Sequence, residues 1–295
     1  MRNASRLVAT FLAFTPVIAA GGSEPLDVRI ADASITLATP SGFHEVSQVS
    51  PDIHRLAQTL TPRMNRLLAV YVTTDDLDRL RDRDEPELDR YLLVQTYRPT
   101  EHLNIGTDGF HKVTGQMKRQ QESMMKNAKA MMDTELERAS AQLSAEHAAA
   151  ISLKVGEIFP LGVFAEGENS ISMASLAKYE ASANKERLEH LVAVAMNVLR
   201  VEDKIIFAYV YSTYDTKDDL DWVQSTSGDW IRQIYGADSQ NTPVASSPRA
   251  ETSTHEPSSG GFSMVMRGAV IVTFIALILF LFRQMARVFS GGKRR

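Results

Sequence analysis

Leu191-Val-Ala-Val-Ala-Met-Asn-Val-Leu199 and Ile205-Ile-Phe-Ala-Tyr-Val-Tyr211, joined through Val201-Glu-Asp-Lys204, decide the fold class. Both runs are short, rich in β-branched and aromatic residues, and closed by a polar turn, which is the pattern of a strand pair. They are apolar at odd and even positions alike. A strand half-exposed to water alternates, so these two predict central strands covered above and below.

Other strands flank this pair. Leu67–Thr73 is apolar and β-branched, and Tyr91–Tyr97 is stopped by Arg98-Pro99. Leu153–Ala165 and Ser170–Tyr179 surround Glu166-Gly-Glu-Asn169, a hairpin turn. Ser50-Pro51-Asp52 opens a short helix that ends before Pro62, with Ser as cap, Pro at the first helical position and an acid on the dipole. Asp218, Asp219 and Asp221 lead a closing helix through Trp222, Trp230 and Ile234. The charged stretch Asp75–Asp89 reads as a solvated loop. The fold class is therefore α+β, a mostly antiparallel sheet sandwiched by helices.

One helix is too long for that frame. From about residue 108 to 149, Phe110, Val113, Met117, Met124, Ala128, Met132, Leu136, Ala139 and Leu143 form one apolar stripe at helical spacing. Unbroken it measures about 63 Å, against roughly 45 Å for the diameter of a compact domain of this size. The helix must break, project, or pack against a partner. Its methionines, Met117, Met124, Met125, Met131 and Met132, are the candidate contact with a protein partner or a second copy of the chain.

Ala33-Ser-Ile-Thr-Leu-Ala38 alternates as an opening strand, and Pro40-Ser-Gly-Phe43 turns it. The strand, this Pro-x-Gly-Phe turn, a short helix, antiparallel hairpins and a closing helix together resemble the PsbP/Mog1/DcrB superfamily. The long Met-rich helix is an addition to its pattern. The resemblance implies a binding or assembly module with no shared catalytic site, and it carries no functional residue over to this chain.

The two ends of the chain predict where it sits. Gly268–Phe282 is an unbroken apolar run between Arg267 and Arg283, followed by Arg287, Lys293, Arg294 and Arg295 with no acid. Its eleven Val, Ile, Leu and Phe residues favour insertion by roughly 3 to 6 kcal/mol in sum, more than an arginine costs near a membrane edge. Residues 264–283 thus predict a transmembrane helix, 284–295 a basic cytoplasmic tail, and 238–262 a flexible tether rich in Ser, Thr and Pro. Arg2 and Arg6, an apolar run from Leu7 to Ile18, and small residues near Ala19 predict a signal peptide over 1–20. Residues 24–237 are then an exported domain, on the periplasmic or extracytoplasmic side of a single-pass inner-membrane protein.

Between Gly21 and Phe262 lie 24 basic and 36 acidic residues, so that domain repels phosphate backbones and nucleic acid is excluded as a partner. The chain has no cysteine, which removes disulfides, thiolate metal sites and a cysteine nucleophile. The seven histidines are scattered, with no pair at helical ligand spacing. Glu186-Arg-Leu-Glu-His190 has Glu where an inverted zinc motif needs a His ligand, and reads as solvated charge. Asp75-Asp-Leu-Asp78 lacks the spacing of a calcium loop, and Asp218, Asp219 and Asp221 serve a helix dipole. Met124, Met125, Met131 and Met132 have the softness of Cu(I) ligands but the spacing of ordinary packing. No phosphate loop, dinucleotide fingerprint or nucleophile elbow occurs, so no metal and no cofactor is assigned.

These residues point to a non-enzymatic binding or assembly module, anchored in the bilayer. The alternative is an exported hydrolase or small-ligand-binding protein with its site on the sheet face. There Phe207, Tyr209 and Tyr211 would floor a pocket, unless they pack under a helix.

Overall fold

The computed structural model describes residues 24–236, apart from 83, 85, 120, 184 and 185, together with 244–245. The sheet is built around the expected strand pair. Strands β8 (Glu186–Val201) and β9 (Lys204–Thr213) form a hairpin closed by Glu202 and Asp203, both with positive φ. Two such residues make the tight turn whose twist matches that of the strands.

Outward on one side lie β7 (Ser170–Ala183), β6 (Ile151–Gly167) and β10 (Val244–Ala245). On the other side lie β5 (Arg90–Tyr97), β4 (Asn65–Thr73) and β3 (Phe43–Glu45). The order is β10-β6-β7-β8-β9-β5-β4-β3, with every pair antiparallel. A separate hairpin, β1 (Leu26–Ile30) and β2 (Ala33–Leu37), precedes the Pro40 turn. In that turn Gly42 takes φ 79° and Phe43 donates its N–H to the Pro40 carbonyl at 3.1 Å. Only glycine sits there without strain.

The pleat sends successive residues to opposite faces, so the two apolar registers of β8 and β9 fill two cores. Val192, Val194, Met196, Val198, Phe207, Tyr209 and Tyr211 enter one, under helices α1 (Pro51–Leu60), α3 (Thr107–Arg119) and α4 (Gln121–His147). Ala193, Ala195, Leu199, Ala208 and Val210 enter the other, under the β1–β2 hairpin and α5 (Lys217–Tyr235). Small alanines on that second face let α5 approach closely. Trp230 fills the gap, edge-on to Tyr71 at 5.6 Å and donating its indole N–H to the Ala38 carbonyl at 2.8 Å.

Two sequence expectations need correction here. The charged stretch after Thr73 is not a loop throughout: Thr74–Arg81 is a helix, α2. Thr73 caps it by accepting from the Asp76 N–H, Leu77 anchors it in the core and Leu80 packs beside it, so two leucines and a cap outweigh the surrounding charge. At α1, Ser50 stands at the cap position but makes no side-chain cap bond, and Pro51 begins the helix.

The length mismatch of the long helix is met within the chain. Strand β6 has 17 residues, about 56 Å of extended chain, and α3 and α4 lie against this long part of the sheet on either side of residue 120. The Lys129 ammonium donates to the Val155 carbonyl at 3.0 Å. Ser140 accepts from the Leu153 N–H at 2.9 Å, and Ser144 from the Ile151 N–H at 3.0 Å. These side chains occupy backbone groups on the outer edge of β6, a way of protecting an edge strand.

Among the described residues no helix is long and apolar enough to cross a membrane. The expected signal peptide at 1–20, transmembrane helix at 264–283 and basic tail at 284–295 lie outside the described residues, with Arg267, Arg283 and Arg287. Within the expected tether only Val244 and Ala245 are described, and they pair with Glu166 and Ala165 of β6.

Candidate functional site

Where α1 ends and β4 begins, five arginines converge on one cavity of about 640 Å³. They come from four places in the fold: Arg55 from α1, Arg63 and Arg66 from the end of the α1–β4 loop and the start of β4, Arg98 from the 3-10 turn after β5, and Arg138 from α4. Among the described residues no carboxylate lines the cavity.

The five are not equivalent. Arg66 is held by Glu101 through two bonds, at 2.8 and 3.1 Å, and also donates to the Arg29 carbonyl. Arg138 binds Glu135 at 2.8 Å and donates to the Thr59 carbonyl at 2.9 Å, neutralising the negative end of α1 at the cavity rim. Arg55 pairs with Asp52 in an exposed bond of little worth. Arg98 donates its Nε to the Asn65 carbonyl at 3.0 Å, and its terminal nitrogens have no partner among the described residues. Arg63 is exposed and makes no hydrogen bond or ion pair among them. The pocket thus carries two guanidinium charges that no described acid pairs.

Asn65 and Thr61 of its lining belong to a buried polar chain. Asn65, 2 % exposed, donates its amide to Gln95 at 2.9 Å, and Gln95 is within 3.5 Å of the Thr61 hydroxyl. The Asn65 Oδ1 is buried with no partner among the described residues.

No family model matches the chain, and no curated protein sequence does. Among solved structures it is similar to Mog1p, a Ran-binding protein of Saccharomyces cerevisiae, at 13% identity. The likeness covers 72% of this chain and 89% of that one, with a TM-score of 0.28. At that score it carries no argument about partner or activity.

The sequence-derived candidates lie elsewhere. Met117 and Met132 are fully buried in the core under α3 and α4 and Met131 is partly buried beside it, so Met117 and Met132 pack against the chain's own sheet and offer no surface contact. The side chains of Met124 and Met125 lie outside the described ones. Phe207, Tyr209 and Tyr211 are buried as well, Tyr211 stacked on Tyr91 with centroids 4.7 Å apart, so the sheet face expected to floor a ligand pocket is filled. Glu189 and Arg187 sit in the strand ladder, paired with Lys178 and Glu180. Among the described residues no three metal-ligating side chains of His, Cys, Asp or Glu gather.

A second concavity of about 720 Å³ lies between the Pro40 turn and α5, lined by Phe43, Trp222 and Trp230. On the uncovered part of β6, Phe159 and Leu161 are nearly half exposed on either side of Pro160. Three register shifts along β6 twist this edge, which blunts strand addition.

Proposed function

We propose that the chain is a binding module, without chemistry of its own, exported and held at a membrane by a C-terminal helix. One observation carries the binding half: the aromatic face of the sheet is packed shut, while the arginine-lined cavity stands open with two guanidiniums, those of Arg63 and Arg98, that no described acid pairs. A hydrolase or ligand site on the sheet face would need the space that α1, α3 and α4 fill. The membrane half rests on sequence: the apolar run Gly268–Phe282, the basic residues after it and the leader-like residues 1–20.

Carbonate washing of membranes that hold the full chain tests the anchor, and a reporter fused after Arg295 tests its orientation. Retention in the pellet together with a reporter active in the cytoplasm is expected. Release into the wash, or a reporter active outside the cell, overturns the membrane reading.

A further inference from the structure

We infer that the cavity between α1, β4 and α4 is a receptor for a phosphate group, gripped by Arg63 and Arg98. This rests on the binding reading above and not on the membrane one.

The charge balance selects the ligand class. Asp52, Glu101 and Glu135 pair with three of the five arginines, leaving the guanidiniums of Arg63 and Arg98. A phosphate monoester carries about −1.5 to −2 charges near neutral pH, which matches two cations. A monocarboxylate would leave one of them unanswered. Guanidinium forks fit phosphate oxygens two at a time, and Arg98 is presented for this because its Nε is tied to the Asn65 carbonyl while both terminal nitrogens stay open.

Opposing terms are present and weaker. The described part of the chain is acidic, but charges farther away than about 10 Å are screened at ordinary salt. The α1 C-terminus contributes about half a negative charge at the rim, and the Thr59 carbonyl there is already held by Arg138.

The test is calorimetric titration of the full chain in non-ionic detergent, at fixed ionic strength, with inorganic phosphate in one arm and a short-chain phosphatidic acid in the other. Saturable one-to-one binding is expected. It should weaken about tenfold in Arg63→Gln or Arg98→Gln, the effect of losing one charge-assisted bond, and stay unchanged in Lys217→Gln on α5. Arg63 has no partner in the described fold, so its replacement perturbs nothing else. Tighter binding of phosphatidic acid through the same arginines assigns the phosphate to a lipid headgroup, and equal or tighter binding of inorganic phosphate to a soluble ligand. No saturable binding in either arm, or equal binding by the double Arg63→Gln, Arg98→Gln variant, overturns the proposal. A chain that washes off membranes yet binds phosphate through these arginines leaves it standing.

Discussion

The tyrosines under α3 and α4 make the fold sensitive to alkali in a way that can be calculated. Tyr91, Tyr209 and Tyr211 are enclosed in the core, and burial holds their hydroxyl pKa values well above the ordinary 10.0, with neighbouring tyrosines adding to the rise for Tyr91 and Tyr209. Burial also raises Tyr71, on the other side of the sheet, and Tyr235 of α5, where the Arg200 charge opposes it only in part. A raised folded pKa contributes stability that is fully present below the unfolded value and is lost as pH climbs from there toward the folded value. Above about pH 10 each such group lowers the unfolding free energy by about 1.4 kcal/mol per pH unit. Five together remove about 7 kcal/mol per unit, so a domain of ordinary stability should unfold within about two units. The Tyr91 and Tyr209 hydroxyls have no hydrogen-bond partner among the described residues. Tyr91→Phe and Tyr209→Phe keep the rings and remove an unpaired polar atom. Each should therefore raise stability near pH 7 by about 1 kcal/mol and reduce the alkaline slope by about a fifth. Both rings face Tyr211, so the double variant should depart from additivity. Urea denaturation of the full chain at several pH values from about 7 to 11, read with tyrosinate absorbance, checks all three. If Tyr91→Phe loses about 1 kcal/mol or more near pH 7 and leaves the slope untouched, its hydroxyl is paired and the reasoning fails.

Two carboxylates give further predictions. Burial alone would raise the pKa of Asp219, but bonds from the Thr216 and Asp215 N–H groups and from Arg90 pull it below the ordinary 3.8. Its contribution is present above 3.8 and is lost as pH falls through the lowered folded value. Asp219→Ala should thus cost about 1 to 2 kcal/mol at neutral pH and progressively less under acid, as thermal melts against pH would register. Asp76, 4 % exposed, accepts from the Glu87 and Leu88 N–H groups and from Thr73, tying α2 to the strand that follows it. Asp76→Ala strands those donors and should cost about 3 kcal/mol, visible as early amide exchange at Glu87 and Leu88 before global unfolding.

The fold was legible where apolar period and turn chemistry agreed. The β8–β9 hairpin, the Pro40 turn and α5 could be read because each joins an apolar pattern to a punctuating residue. Helix α2 could not, since its one fully buried apolar residue is Leu77 and its cap is a threonine that looks like the end of a strand. The long helix was legible as a stripe but not as a solution. A radius taken from residue number assumes a sphere, whereas strands of 14 to 17 residues give this sheet a long dimension that a helix can follow. Met117 and Met132 turn inward for the same reason, because their part of the stripe is covered by the chain's own sheet.

The cavity shows a different kind of blindness. Arg55, Arg63, Arg66, Arg98 and Arg138 span more than eighty residues, and no spacing among them is a motif. Summed charge pointed the wrong way, since a net excess of acids excludes a nucleic-acid surface without excluding a cationic pocket. Whether an arginine is available depends on its partner, and partners are set by tertiary contacts: Glu101 reaches Arg66 across 35 positions, while nothing described reaches Arg63. The signal that could have been read is small but physical. Pro62-Arg63-Met64-Asn65-Arg66 places two cations around the entry to a buried strand with no acid between Arg55 and Asp75. A run of cations without local counter-charge, at the end of a helix whose dipole does not need all of them, must find acids elsewhere in the fold or take them from a ligand. Arg63 and Arg98 found no acid among the described residues, and a phosphate supplies the charge that those two lack.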